Sequence, residues 1–241
     1  MGAVAEVSAG RAPRGDLGRP KVRSVSGQVT DTIRHMILMG DLRPGEHVTQ
    51  DYLAKELGVS TMPVREALLQ LSHEGFILSG RGRAFRVART TRQDIADVYW
   101  MHSTLAGELT SRACANMDPE TLGQLDEIHV QWVKSVRERD PAAMQEANFE
   151  FHRLINHVAA SPKLLLLMRN TLRMIPERFY SMLPEWPASS TDYHKEILDA
   201  LHAGDPDRAA VAASDHVLEA GRMLTKFFDE KGFWTAPESS P

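Results

Sequence analysis

The sequence predicts a mostly α-helical protein in two parts, an N-terminal winged helix-turn-helix followed by an all-α bundle of six to seven helices. Three observations predict this architecture. Two short amphipathic segments flank a glycine-containing turn between Leu53 and Phe76. Two short alternating segments joined by a glycine-rich turn come directly after them. From about residue 92 to residue 232, apolar residues recur at helical spacing and no convincing strand pattern is found.

Length and composition are those of a soluble globular protein. The 241 residues suffice for one large or two ordinary domains, and 25% of them are charged and 42% apolar. No stretch approaches the roughly 20 apolar residues of a membrane span, and the N-terminus lacks the apolar core of a secretory signal. The single cysteine, Cys114, suits a reducing cytosol and is expected to be a small core residue. These features predict a cytoplasmic protein.

Charge is distributed unevenly along the chain. The net charge is −4, but residues 1–90 contain 13 basic and 9 acidic residues, a net of +4. The remainder therefore contains 15 basic and 23 acidic residues, a net of −8. A basic N-terminal part joined to an acidic C-terminal part is typical of a nucleic-acid-binding module attached to a second function.

The N-terminal domain is predicted to span residues 24–89. Residues 1–23 are rich in Gly, Ala, Ser, Pro and Arg without apolar periodicity, which predicts a disordered basic tail. Val25 to Met39 is predicted to form the first helix, with Val29, Ile33, Met36 and Ile37 on its apolar face. Thr49 is the expected cap of the next helix.

The stretch from Tyr52 to Leu71 predicts a helix-turn-helix. Gly58 ends the first helix, because glycine tolerates the left-handed conformation of a helix stop, and Ser60 or Thr61 caps the second, with Pro63 in its first turn. The expected apolar faces consist of Tyr52, Leu53, Ala54 and Leu57 in the first helix and Val64, Ala67, Leu68 and Leu71 in the second. The residues left on the exposed face, which enters the major groove in such motifs, are Thr61, Met62, Arg65, Glu66 and Gln70.

A short hairpin after these helices favours a winged helix over an ordinary helical hairpin, which is the alternative for the two helices alone. Its predicted strands are Phe76-Ile77-Leu78 and Ala84-Phe85-Arg86-Val87-Ala88, joined by Gly80-Arg81-Gly82-Arg83. A basic wing tip lies along the phosphates or in the minor groove, although two arginines in a glycine turn also fit a solvated loop. The predicted DNA contacts are Arg43, Thr49, Lys55, Ser60, Thr61, Met62, Pro63, Arg65, Glu66, Gln70, Arg81, Gly82 and Arg83.

Residues 37–88 resemble the DNA-binding domain of the GntR family of bacterial transcription regulators. The resemblance is carried by Ile37, Gly40, Leu42, Pro44-Gly45, Leu53-Ala54, Leu57-Gly58-Val59-Ser60, Pro63-Val64-Arg65-Glu66-Ala67-Leu68, Leu71 and Glu74-Gly75. The family usually has arginine directly after the serine of the turn, where this chain has Thr61. An arginine grips phosphate or reads guanine through two hydrogen bonds, which threonine cannot do in that way. Arg65 is therefore the remaining arginine of the recognition helix.

A second domain is predicted from residue 90 to residue 232. Thr91 caps its first helix, with Asp94 at the capping-box position. The expected helices lie near 92–116, 119–138, 141–159, 162–182, 188–203 and 206–230, and Pro176 kinks or breaks the fourth. Antiparallel helices of this length pack into a bundle that can enclose a cavity. Residues 233–241 are expected to form a C-terminal tail.

Three histidines, His152, His194 and His216, lie on three different helices of the predicted bundle, each among apolar neighbours. Asn148 precedes His152 by four residues and therefore lies on the same helix face. Imidazoles from separate helices can converge on one cation in a bundle core, with an amide oxygen as a further ligand. Spacing alone, however, favours ordinary core or surface histidines.

Residues 92–230 resemble the all-helical FCD effector domain of the FadR branch of the same family. Many FCD domains bind a divalent metal through an aspartate or asparagine, a histidine four residues later and two histidines on later helices. Asn148, His152, His194 and His216 fit that pattern, and three imidazoles with a neutral oxygen best suit zinc or nickel. The family often has an arginine early in the first bundle helix, where this chain has His102. The candidates to replace it in an effector pocket are His102, Arg169 and Arg173.

The two resemblances imply a bacterial, ligand-responsive transcription regulator, expected to be a repressor that binds a palindromic operator in double-stranded DNA as a homodimer. A small organic acid, expected to be a carboxylate, would bind near the metal and shift the DNA-binding equilibrium. Neither enzymatic activity nor membrane association is expected, and the DNA-bound protein would be associated with the nucleoid. Two alternatives stay open at this point: a metal-dependent enzyme, with candidate bases Glu108, Glu150 and Glu196, and an architectural DNA-binding protein with an inert bundle.

Overall fold

The computed structural model describes residues 24–80, 84–175, 183–232 and 234, in which a small winged helix precedes a bundle of long helices. The predicted tail of residues 1–23, the wing tip at residues 81–83 and most of the predicted C-terminal tail lie outside the described residues. The predicted fold class is confirmed.

The winged helix has three helices and a three-stranded sheet. In chain order its elements are α1 (Val25–Met39), β1 (His47–Val48), α2 (Gln50–Leu57), α3 (Thr61–His73), β2 (Ile77–Ser79) and β3 (Phe85–Val87). The sheet is antiparallel in the order β1-β3-β2, with Val48 opposite Phe85 and Ile77 opposite Val87. These four side chains are buried, so the sheet places one apolar face against the helices.

In the winged helix, the Thr49 cap and the Gly58 helix end form as the sequence predicts, whereas one strand and the burial of one residue do not match. The Thr49 hydroxyl accepts a hydrogen bond from the backbone N–H of Tyr52, and Gly58 ends α2 in the left-handed conformation with φ of 65°. Strand β1 was not predicted, because two residues are too few to show an alternating pattern. The assignment of Tyr52 to the apolar face was wrong: its side chain is 49% exposed. Successive helical residues are about 100° apart, which turns Tyr52 away from the buried stripe through Leu53 and Ala54.

Six helices of the bundle lie within the described residues. They are α4 (Arg92–Asn116), α5 (Pro119–Glu138), α6 (Pro141–Val158), α7 (Pro162–Leu172), α8 (Trp186–His202) and α9 (Pro206–Glu230). The predicted capping box of Thr91 and Asp94 begins α4. Side chains of Asp118, Asp140 and Asp205 cap α5, α6 and α9, each directly before a proline that needs no N–H partner. Cys114 is a buried core residue, as predicted.

The fourth bundle helix breaks before Pro176, as the sequence predicts, and therefore ends short of residue 182. It ends at Leu172 and is followed by a turn over residues 173–175, whereas the sequence pattern extended it to residue 182. Proline disfavours helical backbone in the residue before it and cannot donate to the preceding turn, so the chain leaves the helix ahead of Pro176. Residues 176–182 themselves lie outside the described residues.

Helices α4 and α9 lie side by side along much of their length, and two glycines permit this close approach. A Cβ atom at Gly221 would lie 2.6 Å from Cγ of the buried Tyr99. A Cβ atom at Gly107 would lie 2.9 Å from the backbone oxygen of Ala210. The Ser214 hydroxyl also donates a 3.0 Å hydrogen bond to the carbonyl of Ser103, so the two helices are held in one register.

Two further contacts involve the C-terminal segment and the junction between the bundle and the winged helix. Trp234, within the predicted C-terminal tail, packs edge to face on Phe228 with ring centroids 5.6 Å apart. At the end of α7, Arg173 Nη1 lies 4.0 Å from Oε1 of Glu74, the residue that follows α3.

None of the described helices combines the length and apolar character needed to cross a membrane.

Candidate functional site

The exposed face of α3 is the candidate nucleic-acid interface. Val64, Ala67, Leu68 and Leu71 are buried against the winged-helix core, as predicted. Their burial leaves Thr61, Met62, Arg65 and Glu66 exposed, with Met62 at 72% exposure. Pro63 is half-buried in the first turn, and Ser60 occupies the N-cap position without a capping hydrogen bond from its side chain.

Gln70 differs from the other residues predicted on this face. Its amide N–H donates to Glu74 Oε1 at 3.0 Å, and its amide oxygen accepts from the Thr30 hydroxyl at 3.4 Å. Glu74 also forms a 2.7 Å ion pair with Arg34. Gln70 therefore belongs to a polar network between α1 and α3, and its amide is already engaged within the protein.

The other predicted DNA contacts flank α3. Arg43 and Lys55 are exposed, and Thr49 is exposed while its hydroxyl caps α2. Arg81, Gly82 and Arg83 lie outside the described residues. Arg86 was not among the predicted contacts, although it is exposed on β3 and its Nη2 lies 2.7 Å from Nε2 of His47. The alternation of the wing sequence places Arg86 on the solvent side and was sufficient to identify it.

In the bundle, the three predicted histidines come together. His152 on α6, His194 on α8 and His216 on α9 each offer a ring nitrogen, and these nitrogens all lie within 4.8 Å of one another. The ring centroids are 5.2 Å apart for His152 and His194, 5.2 Å for His152 and His216, and 5.0 Å for His194 and His216. Side chains 42 and 22 residues apart in sequence thus form one compact cluster.

The cluster is held in the uncharged form. Burial lowers the pKa of His152 to about 4. Burial, reinforced by the neighbouring imidazoles, holds the pKa values of His194 and His216 well below their ordinary value. Neutral imidazole is the form that binds metal ions. His152 retains some exposure, whereas His194 is fully buried.

Several polar atoms at this site have no hydrogen-bond partner among the described residues. They are Oδ1 of Asn148 and both ring nitrogens of His194. Leaving a buried polar group unpaired costs about 1–3 kcal/mol, so such groups are rare without a ligand or ion. A cation bound by the three histidines and the Asn148 amide oxygen would satisfy Asn148 Oδ1 and one of the two His194 nitrogens, and the residues present therefore fit a divalent metal.

Aromatic side chains fix the position of His194. Its ring stacks on Phe151 with centroids 4.4 Å apart, and Trp132 packs against it edge to face at 5.1 Å. The indole N–H of Trp132 donates to the Thr191 hydroxyl at 2.9 Å. Rings packed in this way restrict the rotation of a ligating imidazole.

The predicted effector residues separate into two groups. His102 is buried on α4, and its Nδ1 lies 2.7 Å from the Thr171 hydroxyl. Arg169 and Arg173 are both exposed, and Arg173 lies beside Glu74 of the winged helix rather than in the bundle interior. This placement argues against a role for the two arginines inside a pocket, because their charged ends remain in solvent.

His129 is a residue that the sequence prediction missed. It is half-buried on α5, its centroid is 6.2 Å from that of His194, and its Nδ1 has no partner among the described residues. Burial lowers its pKa as well. The only sequence signal was an imidazole on the inward half of an amphipathic helix, which is too common to identify a site.

The glutamates considered as catalytic bases do not face the histidines. Glu108 pairs with Arg112 at 2.6 Å, Glu150 pairs with Arg153, and Glu196 is exposed. A surface groove of about 380 Å³ between α5 and α6 is lined by Gln124, Glu127, Ile128, Gln131, Glu150, Arg153 and Leu154, and none of the three histidines lines it. An enclosed effector cavity next to the histidines therefore stays a prediction.

Comparison with known proteins agrees with this architecture. Residues 25–87 match the family described as bacterial regulatory proteins, gntR family, and residues 97–219 match the FCD domain. An uncharacterized HTH-type transcriptional regulator of Mycobacterium tuberculosis is 30% identical over 203 residues, which cover 83% of this chain and 82% of the relative. The probable D-xylose utilization operon transcriptional repressor of Paenarthrobacter nicotinovorans is 30% identical over 200 residues, which cover 80% and 86%.

A solved structure shares the fold. Escherichia coli McbR/YncC aligns with a TM-score of 0.62 at 24% identity, over 85% of this chain and 99% of that chain. The matched families and relatives are transcription regulators, so the alternative of a metal-dependent enzyme is set aside. The chain belongs to the gntR family of bacterial regulatory proteins, and its helical half is an FCD domain.

Proposed function

We propose that the protein is a metal-dependent, ligand-responsive repressor that binds a palindromic operator as a homodimer. Residues 24–89 would bind DNA, and residues 90–232 would bind the effector and form the dimer. The observation that carries this proposal is the compact cluster of His152, His194 and His216, in which His194 and the adjacent Asn148 have buried atoms without a partner among the described residues. This cluster is joined to a winged helix whose α3 face is exposed.

On the DNA side, the proposed base contacts are the exposed side chains at the start of α3, with Arg65 as the arginine able to read a base edge. Arg65 forms no ion pair with any described residue, so its guanidinium is available to DNA. Arg43, Lys55 and the wing arginines are proposed to contact phosphates, which position the domain without reading sequence. If two copies bind as a dimer, the operator should contain two half-sites related by two-fold symmetry.

In the bundle, His152, His194 and His216 would hold a divalent metal, with Asn148 Oδ1 as a further ligand. The donor set suits zinc or nickel. When bound, the metal would supply positive charge that attracts a carboxylate oxygen. The surrounding residues keep the imidazoles neutral and His194 fixed in position.

A small organic acid bound there would alter operator affinity only by binding unequally to DNA-competent and incompetent arrangements of the dimer. Relief of repression is the proposed outcome, supported by the name of the P. nicotinovorans relative as a repressor. Such a protein acts in the cytoplasm, where its operator is.

Replacement of His194 with alanine tests the metal site. We expect His194→Ala to reduce the metal content of the purified protein several-fold by elemental analysis, because one of three imidazole ligands is lost. His157→Ala is the control, since His157 is exposed on the same helix as His152. Equal metal content in His194→Ala and the wild type would contradict the assignment.

Calorimetry with organic acids then separates the regulator from an architectural protein with an inert bundle. Metal-loaded protein should bind at least one carboxylate more tightly than metal-stripped protein does, and that acid should change the affinity for operator DNA. An inert bundle predicts no acid binding in either state and no effect on DNA.

A further inference from the structure

Met62 is an apolar side chain at the end of the helix that meets DNA in this fold. It is the second residue of α3 and is 72% exposed, more than any other large apolar side chain among the described residues. It belongs neither to the buried core of the winged helix nor to the partly buried side chains that pack on that core. The domain therefore does not use its apolar surface for packing, and that surface remains in water when DNA is absent.

Helix geometry places Met62 beside Arg65. The two residues are three apart, so they lie on one face of α3, about 4.5 Å apart along the helix axis. The opposite face is buried through Val64, Leu68 and Leu71. In a helix-turn-helix the N-terminal residues of the second helix contact base edges, so both exposed side chains are placed to reach the major groove.

The chemistry of the groove determines which base a methionine can select. Methionine has no N–H or O–H donor, and its thioether sulfur is only a weak acceptor, so hydrogen bonds do not give it a choice between bases. The one methyl group that the major groove presents is the C5-methyl of thymine. Contact between that methyl group and Met62 would remove both from water, which is favourable. A polar base edge in the same place would lose water without gaining a hydrogen bond.

We propose that Met62 reads thymine, so that each operator half-site contains a thymine one or two base pairs from the base contacted by Arg65. The spacing follows from the roughly 4.5 Å between the two residues along α3 and the roughly 3.4 Å between successive base pairs. This inference rests on the proposed base contacts at the start of α3 and names one base that these contacts select.

Deoxyuridine tests the inference, because its base is thymine without the C5-methyl group. In vitro selection from a random duplex library with purified full-length protein first defines the preferred duplex. Each thymine of that duplex is then replaced in turn by deoxyuridine, and the dissociation constants are measured at one fixed salt concentration. In each half-site, replacement of one thymine should weaken wild-type binding about fourfold, the effect of one methyl group that loses its apolar contact.

Substitution of Met62 identifies the residue responsible for this ratio. Met62→Ser should bind the thymine and deoxyuridine duplexes equally, whereas Met62→Leu keeps an apolar side chain and should keep most of the ratio. Thr61→Ser is one control, since Thr61 is the adjacent exposed residue and has a methyl group of its own. Val130→Ser is the other, because Val130 is an apolar residue of α5 with 62% exposure. Both controls should keep the ratio at that thymine, and Met62→Ser should unfold at the wild-type denaturant midpoint.

A second pair of duplexes places the methyl group on a different base. At the same position, the thymine–adenine pair is replaced by cytosine–guanine, with either cytosine or 5-methylcytosine. Wild-type protein should bind the methylated duplex about fourfold more tightly than the unmethylated one. Met62→Ser should not distinguish the two duplexes.

The outcomes separate this inference from the DNA recognition on which it rests. Unchanged affinity for every deoxyuridine duplex, or an unchanged ratio in Met62→Ser, would overturn the role of Met62 while leaving sequence-specific binding in place. A Met62→Ser protein that loses self-association and keeps the methyl preference would mean that this side chain contacts a second copy of the chain, which also overturns the inference. Absence of any preferred duplex in the selection would remove sequence-specific recognition itself, and the reading of thymine with it.

Discussion

At His194, the fold surrounds an imidazole with aromatic rings and gives neither nitrogen a hydrogen-bond partner among the described residues. An unpaired buried polar atom costs about 1–3 kcal/mol, so the metal-free site destabilises the bundle. The proposed metal, by binding one of these nitrogens in the folded chain only, would stabilise the bundle by an amount that grows with the logarithm of its affinity. Metal binding and stability would then be linked at this residue.

Acid should destabilise the metal-free protein through the same buried histidines. His102 and His152 have pKa values lowered to about 4 by burial, whereas a histidine in the unfolded chain titrates near 6.5. Between these values the unfolded state binds more protons, so the free energy of unfolding falls as the pH is lowered from about 6.5 to about 4. His102 alone contributes on the order of 3 kcal/mol across that interval. Urea unfolding at a series of pH values in the presence of a chelator measures this dependence.

His102→Leu should flatten the pH dependence, and His157→Leu, at an exposed position, should leave it unchanged. Carboxylates such as Asp199 are exposed, and the hydrogen bond from Lys195 lowers the pKa of Asp199. Such groups lose their contribution to the free energy of unfolding only at lower pH. They do not account for a change between about pH 6.5 and 4.5. Identical curves for wild type and His102→Leu would contradict the neutral, buried state of His102.

Among the site residues, the sequence identifies those that belong to a motif and misses those defined by distant partners. Arg65 follows from the helix-turn-helix pattern alone, because its position relative to Val64 and Leu68 determines which face it occupies. The convergence of three histidines on separate helices was expected only from the family resemblance. The bond between His102 and Thr171, 69 residues apart, depends on how α4 packs against α7 and has no local signal.

At the scale of elements, helix starts are well predicted because the chemistry that sets them is local. Asp118, Asp140 and Asp205 each precede a proline and each caps a helix. Helix α7 ends ten residues before its predicted end at residue 182, since its apolar periodicity continues past Leu172 while the turn before Pro176 stops the helix. Apolar periodicity predicts which residues are buried, but it does not predict whether the backbone between them stays helical.

The close packing of α4 on α9 should be sensitive to one methyl group. Gly221→Ala is expected to lower the free energy of unfolding by about 1–3 kcal/mol, because the new Cβ overlaps the ring of the buried Tyr99 and the two helices must separate. Gly123→Ala is the control: Gly123 is exposed within α5 and its Cβ would meet nothing within 4 Å. That substitution should stabilise the protein by roughly 0.5–1 kcal/mol through helix propensity.

Chemical denaturation of the two glycine variants measures both effects. A Gly221→Ala protein as stable as Gly123→Ala would mean that α4 and α9 are not as close as the fold requires.

At the scale of the whole molecule, the two halves of the chain differ in net charge and in proposed role. Residues 1–90 have a net charge of +4, and the remainder has a net charge of −8. DNA phosphates therefore attract the N-terminal part electrostatically and repel the acidic bundle. The described halves meet where Arg173 approaches Glu74, the residue that closes α3 and is held by Arg34. The end of α7 therefore lies close to the C-terminal end of the recognition helix.

Footprinting of purified full-length protein on the DNA upstream of its own coding region measures whether the protein recognises a symmetric operator. At modest ionic strength, with effector removed, we expect protection of a two-fold symmetric segment with half-sites about one helical turn apart. Arg65→Ala should weaken specific binding by on the order of 1–3 kcal/mol and relax specificity at one base position, whereas Arg137→Ala, exposed on α5, should not. Absence of any protected symmetric segment, or equal affinity for this DNA and random duplex, would contradict the account.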